Sequence, residues 1–193
     1  MSEKVACRSC KILILPDTAQ RTGGVCMPCM NGTRESMEAA RDAHAREREK
    51  ERTCPFRQLW RELIDKAYGT PDGFDRLSDD EKHYFAVQSL IGEVYNGGFD
   101  QYFHNSSGDT YRFAELGLIR MGATHSIALL RSAKSRLFGK AMVPREQEER
   151  WSILRNLDSD DLDDLDKAFY DDSDRLDDRL EAFARETRLV KLG

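Results

Sequence analysis

From residue 54 onward, large apolar positions recur three and four residues apart, the spacing of one helix face. Phe56, Leu59, Trp60, Leu63 and Ile64 follow this spacing behind Pro55, a residue suited to a first helical turn, and predict a helix over 55–68. A Gly-Thr-Pro-Asp-Gly stretch at 69–73 ends it. Ser78 with Glu81 three residues on is a capping box, and Tyr84, Val87, Ile91 and Tyr95 then repeat at about one turn. Asn96-Gly97-Gly98 predicts a stop. Further helices are expected over 111–121, 124–138 and 146–157, with Trp151 and Leu154 inward in the last. Leu162, Leu165 and Phe169 share one face of a stretch starting at Asp160, and Leu176, Leu180 and Phe183 continue the spacing after a polar break at 171–174. No convincing alternating strand occurs in this zone. Short strands are expected only near the cysteines in the first 32 residues.

The pattern changes upstream. Residues 33–53 carry six acids and six bases and almost nothing large and apolar. Opposite charges three apart, Glu47 with Lys50 and Glu49 with Arg52, support a solvated helix with no face for docking. Residues 1–32 hold four cysteines among turn formers, while both Trp, all Tyr and all Phe lie beyond 53. The reading is a mainly α protein in three parts: a zinc-ribbon or knuckle module at 1–32, a charged helical spacer at 33–53, and an all-helical, bundle-like domain at 54–193. A body of about 140 residues buries roughly two-thirds of its unfolded surface, enough for a real core. Nothing repeats at solenoid length. No apolar run approaches a membrane span, and the N-terminus lacks a signal pattern, so a soluble, cytoplasmic protein is expected.

Cys7-Arg-Ser-Cys10 and Cys26-Met-Pro-Cys29 are two C-x2-C pairs separated by fifteen residues. Two close thiolate pairs match the tetrahedral preference of zinc, and Gly23-Gly24 permits the turn that brings them together. In a cytosolic chain such spacing favours metal over disulfides, with paired redox dithiols as the rival. Cys7, Cys10, Cys26 and Cys29 are therefore the expected ligands of one structural zinc ion. The closed four-sulfur set leaves no open position for catalysis. Arg8, Lys11 and Arg21 are too few to argue a nucleic-acid contact. Cys54 stands apart.

Charge is uneven. Net charge is −5, yet residues 158–181 alone hold twelve acids against Lys167, Arg175 and Arg179. Residues 110–140 are basic, with Arg112, Arg120, Arg131, Lys134, Arg136 and Lys140 against Glu115. Just ahead of the basic stretch, NGGFDQYFHNSSGD at 96–109 is the most unusual segment of the body, polar side chains set among Phe99, Tyr102 and Phe103. One reading is a pocket with His104 as general base beside Asp100 and Asp109. The other is a helix stop whose aromatics plug the core and whose Asn105 to Asp109 cap the next helix. The structural reading is preferred. Ser106 and Ser107 lack any nucleophile-elbow context.

That segment resembles the signature of the C-terminal helical domain of a bacterial DNA-mimic protein family. Gly92-Glu93-Val94-Tyr95 before it, and Phe169-Tyr170 ahead of an acidic break, are similar too. The resemblance spans about residues 55–185, and the cysteine-rich start is similar to the leader of some members. It implies an all-helical fold and, for the founding member, a carboxylate surface that imitates duplex phosphate and occupies a transcription factor's DNA-binding face. By charge density the candidates here are Asp158, Asp160, Asp161, Asp163, Asp164, Asp166, Asp171, Asp172, Asp174, Asp177 and Asp178. The resulting expectation is a non-catalytic protein–protein interaction protein, with a basic DNA-binding regulator as partner. The bland alternative makes these acids solvated helix sides. The functional alternative is a zinc-dependent protein binding DNA or RNA directly through the basic middle. The oligomeric state, a homodimer included, stays open.

Overall fold

The computed structural model describes residues 3–155 and 162–190. It separates into two compact units, Met1–Cys54 and Pro55–Gly193.

In the first unit, β1 (Val5–Ala6) pairs antiparallel with β2 (Leu13–Ile14), with Val5 opposite Ile14. Two short helices follow, α1 (Pro16–Arg21) and α2 (Met27–Met30), both with proline at the start, where a missing N–H costs nothing. The charged segment is a helix, α3 (Arg34–Thr53). It carries Arg34–Glu38, Glu47–Lys50 and Glu49–Arg52 ion pairs three or four residues apart, which support a solvent-facing helix.

The second unit is helical: α4 (Pro55–Tyr68), α5 (Asp79–His104), a 3-10 turn (Ser106–Thr110), α6 (Tyr111–Arg120), α7 (Thr124–Phe138), α8 (Gln147–Leu154), α9 (Asp163–Tyr170) and α10 (Leu176–Glu186). The predicted capping box forms: Ser78 Oγ accepts the Glu81 N–H and Glu81 returns to the Ser78 N–H. Helix α5 is the axis of the unit, packed by α4, α6, α8, α9 and α10. Its burial explains this position, since Tyr84, Phe85, Ala86, Val87, Leu90, Ile91 and Val94 leave almost no polar face. Gly117 allows α6 to come close, because a Cβ there would lie 2.7 Å from Val87. Helices α9 and α10 turn Leu165, Phe169, Leu176, Leu180 and Phe183 inward. No described helix is long and apolar enough to cross a membrane.

Two sequence expectations change here. The stop at 96–98 is a kink: Gly97 and Gly98 leave helical geometry, then helix resumes from Phe99. Trp151 is 40% exposed instead of inward, while Arg150 beside it is fully buried. The indole Nε1 donates to the His104 carbonyl at 2.7 Å, which holds the ring across the surface.

Candidate metal centre and acidic face

The β1–β2 turn presents Cys7 and Cys10, and Cys26 stands at the start of α2 with Cys29 inside it. A backbone bond from the Arg8 N–H to the Gly24 carbonyl, 2.9 Å, ties the two loops together. All four Sγ atoms lie within 4.8 Å of one another, and Cys10 and Cys26 are 3.6 Å apart. That is far from a disulfide bond of about 2.05 Å. It is close to the edge of a tetrahedron with ~2.3 Å metal–sulfur bonds, about 3.8 Å. The set is a candidate metal site. Donors already face the sulfurs: the Cys26 N–H reaches Cys7 Sγ at 3.1 Å and Arg34 Nη2 reaches Cys26 Sγ at 2.9 Å.

Thiol acidity follows from this crowding. The Cys10 backbone N–H leads the groups that bring Cys7 down to about 6, against burial. Burial pushes Cys26 up, but Arg34 and the Cys29 N–H bring it below the ordinary thiol value. The Ile12 N–H favours the Cys10 thiolate, yet burial and the three neighbouring sulfurs push it up to about 11. Four thiolates cannot collect in this volume unless a cation offsets them.

The acidic candidates separate by environment. Asp158, Asp160 and Asp161 lie outside the described residues. On α9, Asp164 takes both Nη atoms of Arg136, which holds its carboxyl below the usual range, and Asp163 faces Lys167 at 3.6 Å. Asp166 turns inward, where its Oδ1 accepts the Phe99 N–H at 2.9 Å and burial raises its carboxyl. Asp172 Oδ1 accepts the Leu176 N–H at 2.9 Å and so holds the start of α10. Asp174 is buried, and its Oδ2 accepts the Ser126 N–H (2.7 Å) and hydroxyl (2.9 Å) at the start of α7. Asp171, Asp177 and Asp178 are exposed, as are Asp163 and Asp164. Burial and then the charges of Asp172, Glu181 and Asp178 raise Asp177. Asp178 pairs locally with Arg175. The exposed face is therefore narrower than charge density implies.

In the 96–109 segment the aromatics do plug the core: Phe99, Tyr102 and Phe103 are fully buried. The expected capping by Asn105 to Asp109 is not what occurs, since neither the 3-10 turn nor α6 has a side-chain cap bond. Glu93 instead collects the polar side chains. It accepts from Gln101 Nε2 (2.6 Å), Asn105 Nδ2 (2.9 Å) and Ser107 Oγ (2.9 Å). Asp109 goes to Arg150, 2.6 Å away, though burial still raises its carboxyl. Arg150 also donates to the carbonyls of Phe103, Asn105, Pro144 and Arg145. His104 is exposed and its ring lies 5.3 Å from that of Trp151. No described hydrogen bond joins His104, Asp100 and Asp109.

The basic middle also divides. Arg120 meets Asp80 and the His83 ring, and Arg136 meets Asp164. Arg112, Arg131, Lys134 and Lys140 border one cleft.

A family model described as DMP19-like protein matches residues 75–187, which takes in α5 to α10 and leaves out the cysteine unit. Comparison with curated proteins and with solved structures gives no match.

Proposed function

The chain belongs to the DMP19-like (DNA mimic protein 19) family, and on that footing we propose that it is a non-catalytic DNA mimic whose α9–α10 face binds a basic DNA-binding regulator. The observation that carries this reading is the set of exposed carboxylates, Asp163 and Asp164 on α9, Asp171 just past its end, and Asp177 and Asp178 on α10. Asp166 on Phe99 and Asp174 on Ser126 fix those helices in place, so the exposed acids are presented by a rigid scaffold. Duplex DNA offers one charge per about 1.7 Å of axis, and a fixed row of carboxylates attracts the same basic surfaces. The field steers encounter and makes the partner choose between protein and DNA. The internal commitments of Asp109, Glu93 and Arg150 support a structural role for the 96–109 segment over a catalytic one.

The cysteine unit completes the proposal as the holder of one structural zinc ion on Cys7, Cys10, Cys26 and Cys29. The four-sulfur donor set and the 3.6 Å Cys10–Cys26 spacing suit that ion. Bound zinc supplies cross-linking, which a unit of this size needs in place of a core.

The test is a pull-down from native lysate with the full chain and with a variant carrying Asp163→Asn, Asp171→Asn, Asp177→Asn and Asp178→Asn. These four side chains hold no core element in place. A DNA-binding protein captured by the native chain, lost with the variant and released by added duplex DNA is the expected result. Recovery of nucleic acid itself, or of a partner indifferent to the four changes, overturns the proposal.

A further inference from the structure

The cleft beside the basic middle lies within the helical unit and takes no part in the acidic face. It has a volume of about 1230 Å³ and runs between the end of α4, the start of α6 and the segment after α7. Small-ligand pockets commonly span roughly 300–1,000 Å³, so this one has room for a ligand with more than one ring system.

One wall is aromatic. Tyr68, Phe85, Phe74 and Phe113 line it in a continuous series, with ring centroids 5.9, 5.6 and 5.3 Å apart. Phe85 is buried, whereas Tyr68 at the end of the series is 64% exposed. An open aromatic ring backed by a packed aromatic row is a stacking platform whose partner has to come from outside.

The mouth is cationic. Arg112, Arg131, Lys134, Lys140 and Arg145 line it against Asp109 and Glu115 only. Three of the five cations are engaged: Arg131 holds Glu115 at 2.7 Å, Lys134 donates to the Gly139 carbonyl at 3.0 Å, and Arg145 holds Asp75 at 2.9 Å. Asp109 is likewise taken by Arg150. Arg112 and Lys140 are exposed and have no ion-pair or hydrogen-bond partner among the described residues. Their charges are the ones left for a ligand.

We propose that this cleft binds a ligand of the nucleotide class, stacking its base on the Tyr68 end of the aromatic wall and placing its phosphate at Arg112 and Lys140. Charge complementarity selects an anion, and the aromatic wall selects a flat ring over a bare phosphate. Stacking on aromatic side chains combined with phosphate contact to cations is how single-stranded nucleic acid and its fragments are held without sequence readout. The inference is independent of DNA mimicry, since none of the α9–α10 acids lines the cleft.

Calorimetric titration of the full chain tests it, with AMP and the dinucleotide pApA as probes. Adenosine, inorganic phosphate and dodecanoate serve as the ring-only, charge-only and acyl-anion comparisons. Both nucleotides are expected to bind saturably at one per chain, with adenosine and phosphate at least about tenfold weaker. Arg112→Gln with Lys140→Gln lowers nucleotide affinity at least about tenfold and flattens its salt dependence. Tyr68→Ala weakens binding several-fold and leaves that salt dependence in place. All three side chains are exposed, and a circular dichroism spectrum equal to that of the native chain shows the variants to be folded. Absence of saturable nucleotide binding, equal binding by the Gln variant, or dodecanoate bound in preference to both nucleotides overturns the proposal.

Discussion

Arg150 shows how one side chain holds a region together. Its guanidinium is fully buried and serves four backbone carbonyls and one carboxylate. A buried cation is tolerable only when its donors are all used, and here the fork geometry of arginine supplies them. Arg150→Met leaves those carbonyls without a donor and Asp109 without its ion-pair partner, and a loss of about 3–5 kcal/mol in urea unfolding is expected. Arg150→Lys recovers little of this, because one ammonium cannot span the carbonyls on both sides. A lysine variant as stable as the native chain would show that charge alone suffices. Nothing in the sequence pointed directly to this residue, since arginine in a charged helix reads as solvent-facing. A partial signal existed in Leu154, which is buried four residues later on the same helical stripe, but Trp151, three residues before Leu154, fits that stripe by spacing as well.

At the scale of elements, most helices were legible because their causes are local. The span of α4 and the start of α5 follow from apolar spacing, Pro55 and the Ser78–Glu81 box. The kink in α5 was only half legible. Asn-Gly-Gly announces a break, but resumption of the helix depends on Asp166, 67 residues away, which accepts the first free N–H of the second segment. Gly98 sits at φ 76°, and a Cβ there would fall 2.1 Å from Asp166 Oδ2. Gly98→Ala therefore combines left-handed strain with collision, and a loss of about 1–3 kcal/mol is expected in thermal unfolding. Asp166→Ala removes the acceptor and costs a similar amount, whereas Asp166→Asn retains an oxygen for the Phe99 N–H. The pH dependence has a definite sign. Burial holds the Asp166 carboxyl above its unfolded value, so protonation favours the fold. Native stability gains from this group as pH falls through its folded pKa towards about 3.8, and Asp166→Asn abolishes that gain. A native-like acid limb in the Asn variant would assign the effect to another carboxylate.

At the scale of the whole molecule, the sequence located the acidic end without revealing which acids reach solvent. Asp166 and Asp174 count equally with Asp163 and Asp171 in a charge tally, yet the first two are internal acceptors. Helical spacing gave one warning, because Asp166 lies four residues after Leu162 and three before Phe169, on the inward stripe. Asp174 gave none, since its partner Ser126 belongs to a distant helix. The cysteine pairs were the clearest chemical signal, as two C-x2-C steps specify a donor set regardless of what surrounds them. Their consequence concerns stability. Among the described residues of the unit Met1–Cys54, only Cys7 and Cys26 are buried apolar residues, whereas Pro55–Gly193 owns a large core. A unit without a core depends on its metal, while one with a core does not. Chelation of the zinc-loaded full chain should therefore remove one zinc ion and release the cysteine loops with α1 and α2, while α3, held by its own ion pairs, is less affected. The unfolding transition of the large unit should stay at its temperature. Arg34→Gln should retain one zinc per chain but weaken its retention against a competing chelator by about 10–100-fold, the usual effect of losing a donor to a ligating atom. A chain that holds no zinc with its cysteines reduced would refute the metal centre, and a Gln variant with native retention would confine Arg34 to packing.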